Sequence, residues 1–304
     1  MTARVSVLTP TYNCASLLRR AIASAFNQTL APFEVIVIDD GSTDETPRVL
    51  AELAEVYGTR LVVERKPNGG EASARNRAVA RSRGELLAFI DQDDQWHPRK
   101  LELQVQLMAE DPSLDACFTA YQRVTGTRRE TVRLAGWRPA PEFVLRQLMI
   151  GSCMTPSTVM LTARAVGSLP RFDESLWLGS DWTYWLEVAA AGFRVGYLPD
   201  VLVDYDWHGG NMSADARKIS AAALEIFPRL FDHPSLPPSV RRMRRWCLAR
   251  WLLIDAENAA SVGSWDVTRR RIKEAIRTRP ASIRPGWLAL LWRSHSENHS
   301  RAHA

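Results

Sequence analysis

The first hundred residues alternate short apolar runs with amphipathic stretches, and this alternation constrains the fold more than any other feature. Four runs have the composition of buried strands: VSVLTP, FEVIVID, RLVVER and ELLAFID. Each is followed by a segment whose apolar residues have helical spacing, such as ASLLRRAIASAF. Strands and helices that alternate in this way form βαβ units, with helices on both faces of the sheet. The sequence therefore predicts an α/β protein with a Rossmann-like, mostly parallel central sheet flanked by helices.

The pattern becomes irregular after about residue 110 and changes again near residue 214. DACFTAYQRV and FRVGYLPDVLVDYD favour strands, whereas SDWTYWLEVAAAG favours a helix. From about Ala214 onward every segment has helical spacing. We therefore predict one domain over 1–213, with halves of about 1–110 and 111–213. A C-terminal helical extension over 214–304 is predicted to follow it.

Charge and cysteine content narrow the class of protein. Residues 1–213 have a net charge of −4, whereas residues 214–304 carry 17 basic and 8 acidic residues, a net of +9. A basic tail of this kind favours an anionic surface or partner.

No apolar run approaches the roughly 20 residues of a membrane span, and the start of the chain lacks a signal-peptide pattern. The four cysteines form no CxxC pair, which suits a reducing cytosol. We expect a cytoplasmic protein, soluble or peripheral on the inner face of the plasma membrane.

Three of the four predicted strands end in polar segments, TPTYN, DDGSTD and DQDDQ. The carboxyl ends of parallel strands meet at one edge of a sheet, where ligands bind in such folds. Hard divalent cations prefer oxygen ligands, so Asp91, Asp93 and Asp94 favour a metal or ligand site. The alternative is that they cap the following helix, but three acids in four positions exceed what a cap requires. Ser42 and Glu45, at capping-box spacing, predict another helix start after DDGSTD.

Four segments in this order resemble the signature segments of the family 2 glycosyltransferases of the GT-A fold. They are VSVLTPTYN, FEVIVIDDGSTDET, PNGGEASARNRAVARSRGE and LLAFIDQDDQWHPRKL, and the resemblance covers roughly residues 4–215. It implies a GT-A type fold, a nucleotide-diphospho-sugar donor, a divalent cation (Mn²⁺ or Mg²⁺) and inversion at the anomeric carbon. A glycan or lipid-linked acceptor is implied, as in the synthesis of polysaccharide or other glycoconjugates.

The resemblance also implies roles for individual residues on the nucleotide side. The TPTYN loop is expected to place Thr9, Pro10 and Tyr12 beside the nucleobase, with the Tyr12 ring packed against it. Asp40 is expected to accept a hydrogen bond from uracil, and Asp39 to help hold the ribose or orient the loops. A carboxylate accepts from a ring N–H that uracil and thymine have, so a UDP-sugar is the favoured donor and a dTDP-sugar the next.

The remaining donor-side residues lie in the third and fourth segments. Gly69 and Gly70 permit close approach of the backbone, and Arg75 offers a permanent charge to ribose or phosphate. The resemblance implies that Asp93 is the ribose-side acid and Asp94 the metal ligand, while Asp91 supports the turn.

A loop with a histidine follows the last predicted strand. By resemblance, His208 lies in a loop that closes over the diphosphate and sometimes touches the metal. A loop histidine without function is an equally supported interpretation. Gly209 and Gly210 next to it suit a loop that moves.

Inverting displacement needs a general base on the face opposite the leaving phosphate. Asp181 opens a predicted helix at a position where the resemblance implies an acid, so it is the predicted base. Family members often have a second acid just before it, where this chain has Ser180. The alternative is a helix start capped by Ser180, and Asp173 and Glu174 are alternative acids. The two tryptophans of this helix are interpreted as core or as acceptor-stacking residues.

The basic tail admits three interpretations. Segments 240–252 and 284–293 mix arginine with tryptophan and leucine, which suits a helix lying in an anionic leaflet. It equally suits an apolar stripe packed on the body, with arginines as its rim. We favour packing for 240–252 and membrane contact for 284–293, and a homodimer contact is the third interpretation.

Two rival classes of function fit the sequence less well. A nucleic-acid partner is not expected, because no recognisable nucleic-acid-binding module occurs. The other rival is a non-catalytic scaffold that binds sugar nucleotides at the membrane, and in such a scaffold we expect the base or the metal-binding acid to be lost. Asp93, Asp94 and Asp181 are all present in this chain.

Overall fold

The predicted alternation of strands and helices is present in the computed structural model, which describes residues 3–290. The strands of this part are β1 (Val5–Thr11), β2 (Glu34–Asp39), β3 (Leu61–Arg65), β4 (Leu86–Phe89), β5 (Gln95–Trp96), β6 (Ala116–Thr125), β7 (Arg128–Val132), β8 (Met160–Thr162) and β9 (Val195–Asp206). Its helices are α1 (Ala15–Phe26), α2 (Thr46–Tyr57), α3 (Glu71–Arg81), α4 (Lys100–Glu110), α5 (Pro141–Ile150), α6 (Ala163–Ser168), α7 (Ser180–Ala190), α8 (Ala216–Phe231), α9 (Pro238–Arg241), α10 (Arg244–Ser261) and α11 (Trp265–Thr278).

All strands of the described part belong to one sheet with the order β3-β2-β1-β4-β8-β6-β9-β5, and β7 pairs with β6. The first four strands are mutually parallel, as the sequence predicts. Beyond β4 the sheet is mixed, because β8 runs antiparallel to both β4 and β6, whereas β9 runs parallel to β6. The carboxyl ends of β1, β2, β4, β6 and β9 therefore lie at one edge.

The core explains why the early strands are almost wholly apolar. Every residue of β1, β2 and β4 is buried, because helices cover both faces of the sheet. Helix α1 buries a stripe at the spacing expected for one helix face, formed by Leu18, Ala21, Ile22 and Ala25. Burying a large aliphatic side chain of this kind stabilises the fold by about 1.5–3 kcal/mol. The edge strand β3 instead alternates between buried and more exposed residues.

The predicted capping box before α2 is wrong. The helix begins at Thr46, and the Thr46 N–H donates to Asp44 Oδ1 at 2.9 Å. Ser42 lies outside the helix, where its hydroxyl oxygen accepts from the Asn13 N–H at 2.9 Å. Ser42 thus connects the loop after β1 to the loop after β2 and does not cap a helix.

The chain divides into two compact units, Met1–Gly209 and Gly210–Ala304, close to the predicted boundary at 213/214. The described part of the second unit is helical, and Phe227 of α8 stacks on Trp251 of α10 at 6.0 Å. Much of the apolar stripe of 240–252 is buried, including Cys247, Trp251 and Leu252. None of the helices within residues 3–290 has the length and apolar character needed to cross a bilayer.

Candidate active site

The loop after β1 presents one aromatic ring at the carboxyl edge of the sheet. The side chain of Tyr12 is 44% exposed, and its N–H donates to Gln92 Oε1 at 2.8 Å. The Thr11 hydroxyl donates to the same oxygen at 2.8 Å, so Gln92 ties this loop to the turn after β4. Thr9 and Pro10, which we expected in the loop, are buried inside β1 and paired with β2.

Asp40 organises the loop before α3. Its carboxylate accepts from the N–H groups of Gly69 (3.0 Å) and Gly70 (2.8 Å), and also from the ammonium of Lys66. Gly70 has φ = +88°, a left-handed conformation that favours glycine. Asp40 is 3% exposed. Both of its oxygens are therefore already used inside the protein, which weakens its expected role as the acceptor for uracil.

Asp39, the preceding residue, differs in having one oxygen available. Its Oδ1 accepts from the Ser42 N–H at 2.8 Å. Its Oδ2 is buried and, within residues 3–290, has no hydrogen-bond partner, although Arg65 Nε lies 3.5 Å away. A buried carboxylate oxygen without a donor is costly unless a ligand or water supplies one. Asp39 thus keeps an acceptor oxygen without a donor, whereas both oxygens of Asp40 are hydrogen-bonded.

Arg75 lies among acids at the start of α3. The side chain is 2% exposed and pairs through Nη2 with Glu71 and with Asp91, the latter at 2.8 Å. Burial disfavours its charge, but these carboxylates outweigh that cost and raise the pKa of Arg75. Among the described residues its Nε and Nη1 have no hydrogen-bond partner. Two donors of a buried cation therefore remain for a ligand oxygen or water.

The turn after β4 separates its two neighbouring acids. Asp93 Oδ2 lies 3.1 Å from Nε2 of His208, which brings the predicted ribose-side acid next to the histidine of the predicted diphosphate loop. Asp94, the implied metal ligand, is 0% exposed. Its oxygens accept from the Ser157 hydroxyl and from the Asp206 N–H, the latter at 3.0 Å. Burial and the neighbouring acids raise the pKa of Asp94 well above its usual range.

Whether a divalent cation fits this part of the site depends on how many of its ligands the protein must supply. Within residues 3–290 no group of three or more His, Cys, Asp or Glu side chains is arranged to hold a metal ion. Magnesium in nucleotide sites is commonly bound by one or two carboxylates plus substrate phosphates. Asp93 offers one carboxylate with His208 beside it, and a cation held there would take its remaining ligands from a diphosphate.

Asp181 lies in the first turn of α7. The N-cap residue is Gly179, with φ = +82°, and no side chain caps this helix, so Ser180 does not have the predicted capping role. Asp181 is partly buried. Burial raises the pKa of its carboxyl, the charge of Arg75 opposes this, and Asp91 adds to it. A carboxyl with a raised pKa is a stronger proton acceptor than an ordinary aspartate.

The other candidate residues near α7 have structural partners. Asp173 Oδ1 accepts from the N–H and hydroxyl of Ser175 at 2.9 and 2.6 Å, which forms a local turn. Glu174 accepts from Asn76 Nδ2 at 2.8 Å. The two helix tryptophans, Trp182 and Trp185, are 3% and 1% exposed and belong to the core.

Together, the sheet with a parallel first half and a mixed second half, its flanking helices and the acids at its carboxyl edge are the features of a glycosyltransferase of the GT-A type. The chain belongs to the family 2 glycosyltransferases, since the family model described as "Glycosyl transferase family 2" matches residues 6–162. Asp181 lies outside the matched range. The resemblance, the fold class and the assignment as a transferase enzyme are thereby confirmed.

Relatives and solved structures agree with this membership. TuaG of Bacillus subtilis (strain 168), named for teichuronic acid biosynthesis, is 30% identical over 228 residues, covering 73% of this chain and 86% of its own. S. aureus TarS 1-349 in complex with UDP-GlcNAc has a TM-score of 0.68 at 21% identity, with 90% of this chain and 81% of that chain covered.

A second solved structure is the mannosyltransferase PcManGT from Pyrobaculum calidifontis in complex with GDP-Man and Mn²⁺. Its TM-score is 0.63 at 22% identity, with 98% of this chain and 87% of that chain covered. Both structural matches are evidence for the fold. The chain spans about a fifth of the length of the first curated relatives it matches.

Several residues that shape the site were not singled out from the sequence. Gln92 stands inside DQDD, but nothing in the pattern indicates that it binds the loop after β1. Ser157 and Asp206 hold Asp94 from 63 and 112 residues away along the chain. Contacts at such separations have no local sequence signal.

Proposed function

We propose that this enzyme transfers a sugar, with inversion, from a UDP-sugar to a hydroxyl of a glycan or lipid-linked acceptor. The observation that carries the proposal is the carboxyl edge of the sheet, which gathers Tyr12, Asp39 and Asp93 from three strand ends. The UDP-GlcNAc complex of TarS supports the donor class. TuaG, named for teichuronic acid biosynthesis, supports a polysaccharide or glycoconjugate product.

We infer that Asp39, rather than Asp40, reads the nucleobase. The exposed Tyr12 ring stacks on the base, while Asp39 Oδ2 accepts from the uracil ring N–H. Asp40 holds Gly69 and Gly70 in place below the ligand. Arg75 contributes its two unpartnered donors to ribose or phosphate oxygens.

A competition titration tests the donor assignment. UDP is expected to bind to the wild type at least tenfold tighter than CDP. Asp39→Asn should remove most of this preference for uracil over cytosine, because the side-chain amide can donate a hydrogen bond to the base as well as accept one. The matched control is Asp40→Asn, which should weaken all nucleotides similarly, since its loss loosens the Gly69–Gly70 loop. Equal binding of UDP, CDP and GDP by the wild type contradicts the assignment.

We propose that Asp93 and His208 hold a divalent cation, either Mn²⁺ or Mg²⁺, together with the donor diphosphate. When bound, the cation neutralises charge on the leaving diphosphate. Asp94 was the expected ligand, but its oxygens already accept from Ser157 and Asp206. Its proposed role is to support the turn that carries Asp93. The manganese-bound mannosyltransferase structure supports this cation class.

Asp181 is the proposed general base. The acceptor hydroxyl oxygen forms a bond to the anomeric carbon while Asp181 takes the hydroxyl proton. The bond from that carbon to the diphosphate oxygen breaks, and UDP leaves with the electron pair. Attack from the face opposite the leaving group gives inversion. A proton acceptor within reach of the acceptor hydroxyl contributes typically about 10²–10⁴-fold to such a rate.

We further propose that the C-terminal unit binds an anionic membrane surface through a basic face. Helix α11 buries Thr268, Ile272 and Ala275 on one side. Its opposite side exposes Arg270, Lys273 and Arg277 at helical spacing. Within residues 3–290 these three cations form no ion pair. Of segment 284–293, for which the sequence favours membrane contact, residues 291–293 lie outside the described part.

Vesicle sedimentation tests the basic face. The triple variant Arg270→Gln/Lys273→Gln/Arg277→Gln is expected to bind anionic vesicles about 10²-fold more weakly, since each basic residue contributes about 1 kcal/mol near such a surface. A triple control that carries the same change in net charge, Arg217→Gln/Arg229→Gln/Arg244→Gln, removes arginines paired with acids and should bind nearly normally. Equal losses in both variants would indicate a net-charge effect and contradict a specific face.

A further inference from the structure

The segment that leads into α7 exposes a large aromatic side chain close to the proposed base. Trp177 is 65% exposed, whereas Leu176 before it is 7% exposed and Ser180 after it is 5% exposed. Exposing an indole to water sacrifices the stabilisation that its burial provides. The chain could bury a ring at this point, as it does at Trp182 and Trp185 of the next helix. Trp177 therefore offers an accessible indole surface in this segment.

This segment is held in place by hydrogen bonds from the donor-side helix. Asn76 of α3 accepts from the Phe172 N–H and donates to the Phe172 carbonyl, both at 2.9 Å. Its Nδ2 also donates to Glu174 Oε1 at 2.8 Å. Phe172 stacks on Tyr184 of α7 with centroids 4.0 Å apart. Trp177 is thus carried by a segment that is anchored before it, at Phe172 and Glu174, and continues after it into α7.

The distance from Trp177 to Asp181 is limited by the chain. Three residues lie between them, and the four residue steps from Trp177 to Asp181 span at most about 14 Å even in extended chain. An acceptor glycan whose hydroxyl reaches Asp181 therefore passes within a few sugar units of the indole. The donor is expected on the other side of Asp181, at the loops that carry Tyr12 and Asp93.

We propose that Trp177 is a stacking platform for a sugar ring of the acceptor glycan. A pyranose ring has an apolar face of C–H groups and polar edges, and a flat indole offers a large rigid contact area for such a face. Stacking adds affinity for the acceptor without touching the reacting atoms. Trp177 therefore affects the affinity for the acceptor glycan and the preference for acceptors of a given length. This inference rests on the proposed glycosyl transfer, because it presumes that Asp181 marks the acceptor side.

Steady-state kinetics with acceptor oligosaccharides of increasing length test this role. Trp177→Ala is expected to raise the acceptor KM about tenfold or more for the longer acceptors, a loss typical of removing an aromatic anchor. The turnover number, the donor KM and the melting temperature should stay near wild type. Trp177→Phe should recover most of the affinity, because it keeps an aromatic face. Val56→Ala, at a 74% exposed apolar residue of α2, is the matched control and should change nothing.

The possible outcomes separate this inference from the proposed function. If the wild type transfers sugar but Trp177→Ala has an unchanged acceptor KM, then the assignment of Trp177 as a stacking platform is wrong. The proposed function is unaffected by this result. If the wild type transfers no sugar to any glycan, the proposed function fails. In that case, calorimetric titration of glycan into the wild type and into Trp177→Ala tests directly whether Trp177 binds a sugar ring. A Trp177→Ala variant that changes oligomeric state and not glycan binding would instead assign Trp177 to an interface between copies.

Discussion

Asp181→Asn is expected to reduce turnover by about 10³-fold while leaving UDP affinity within about twofold of wild type. The amide cannot accept the proton of the acceptor hydroxyl, and a lost general base typically costs about 10²–10⁴-fold. Donor binding is retained because Asp181 faces the acceptor side in the proposed mechanism. Single-turnover rates and UDP titrations on the same preparations measure the two quantities separately.

Asp173→Asn is the control for this experiment, since Asp173 is the alternative acid and bonds to Ser175 within its own turn. It should keep most of the turnover. If Asp173→Asn loses as much turnover as Asp181→Asn, the base is misassigned. If UDP affinity falls together with turnover in Asp181→Asn, the residue belongs to the donor side or to the fold.

The pH profile follows from the same assignment. A general base works in its deprotonated form, so activity is lost as pH falls through its pKa. Burial raises the pKa of Asp181, and this exceeds the lowering by Arg75. The acidic limb of the wild-type profile should therefore lie above the range of an ordinary aspartate, and the residual activity of Asp181→Asn should lack that limb.

Asp93→Ala is expected to lower activity at least 10²-fold and to weaken Mn²⁺ binding in the presence of UDP, as measured by calorimetry. A positioned electrostatic group that stabilises the leaving phosphate typically contributes on this scale. Its unfolding free energy should stay near wild type, because the carboxylate bonds to the partly exposed His208 and is repelled by Asp91. Unchanged Mn²⁺ affinity would exclude Asp93 as a ligand.

Asp94→Ala is the matched comparison on the neighbouring residue. It leaves the Ser157 hydroxyl and the Asp206 N–H without their buried acceptor. Since an unsatisfied buried donor costs about 1–3 kcal/mol, the variant should lose at least about 2 kcal/mol of unfolding free energy. Denaturant unfolding measures that loss. A stable Asp94→Ala variant that has lost Mn²⁺ affinity would restore Asp94 as the ligand.

The fold of the first half could be predicted because its signals are local. The apolar runs and helical spacings of residues 4–110 correspond to β1–β4 and their helices, and consecutive βα units produce parallel neighbours. The mixed half could not be predicted in the same way. Strand β8 has three residues and pairs antiparallel with two strands far from it in sequence. Short strands have too little pattern to specify their partners.

The sequence by itself determined that acids gather at one sheet edge and that an acid opens the helix after the second half. Composition and strand order suffice for this, because strand ends of a parallel sheet share an edge. Only the tertiary structure showed which acid of each neighbouring pair has both carboxylate oxygens hydrogen-bonded within the protein. Asp40 is bound by Gly69 and Gly70, and Asp94 by Ser157 and Asp206, and for this reason we propose Asp39 and Asp93 as the acids that meet ligands. The side chains of adjacent residues point in different directions. The groups that hydrogen-bond to one acid of each pair come from segments that are distant in the sequence.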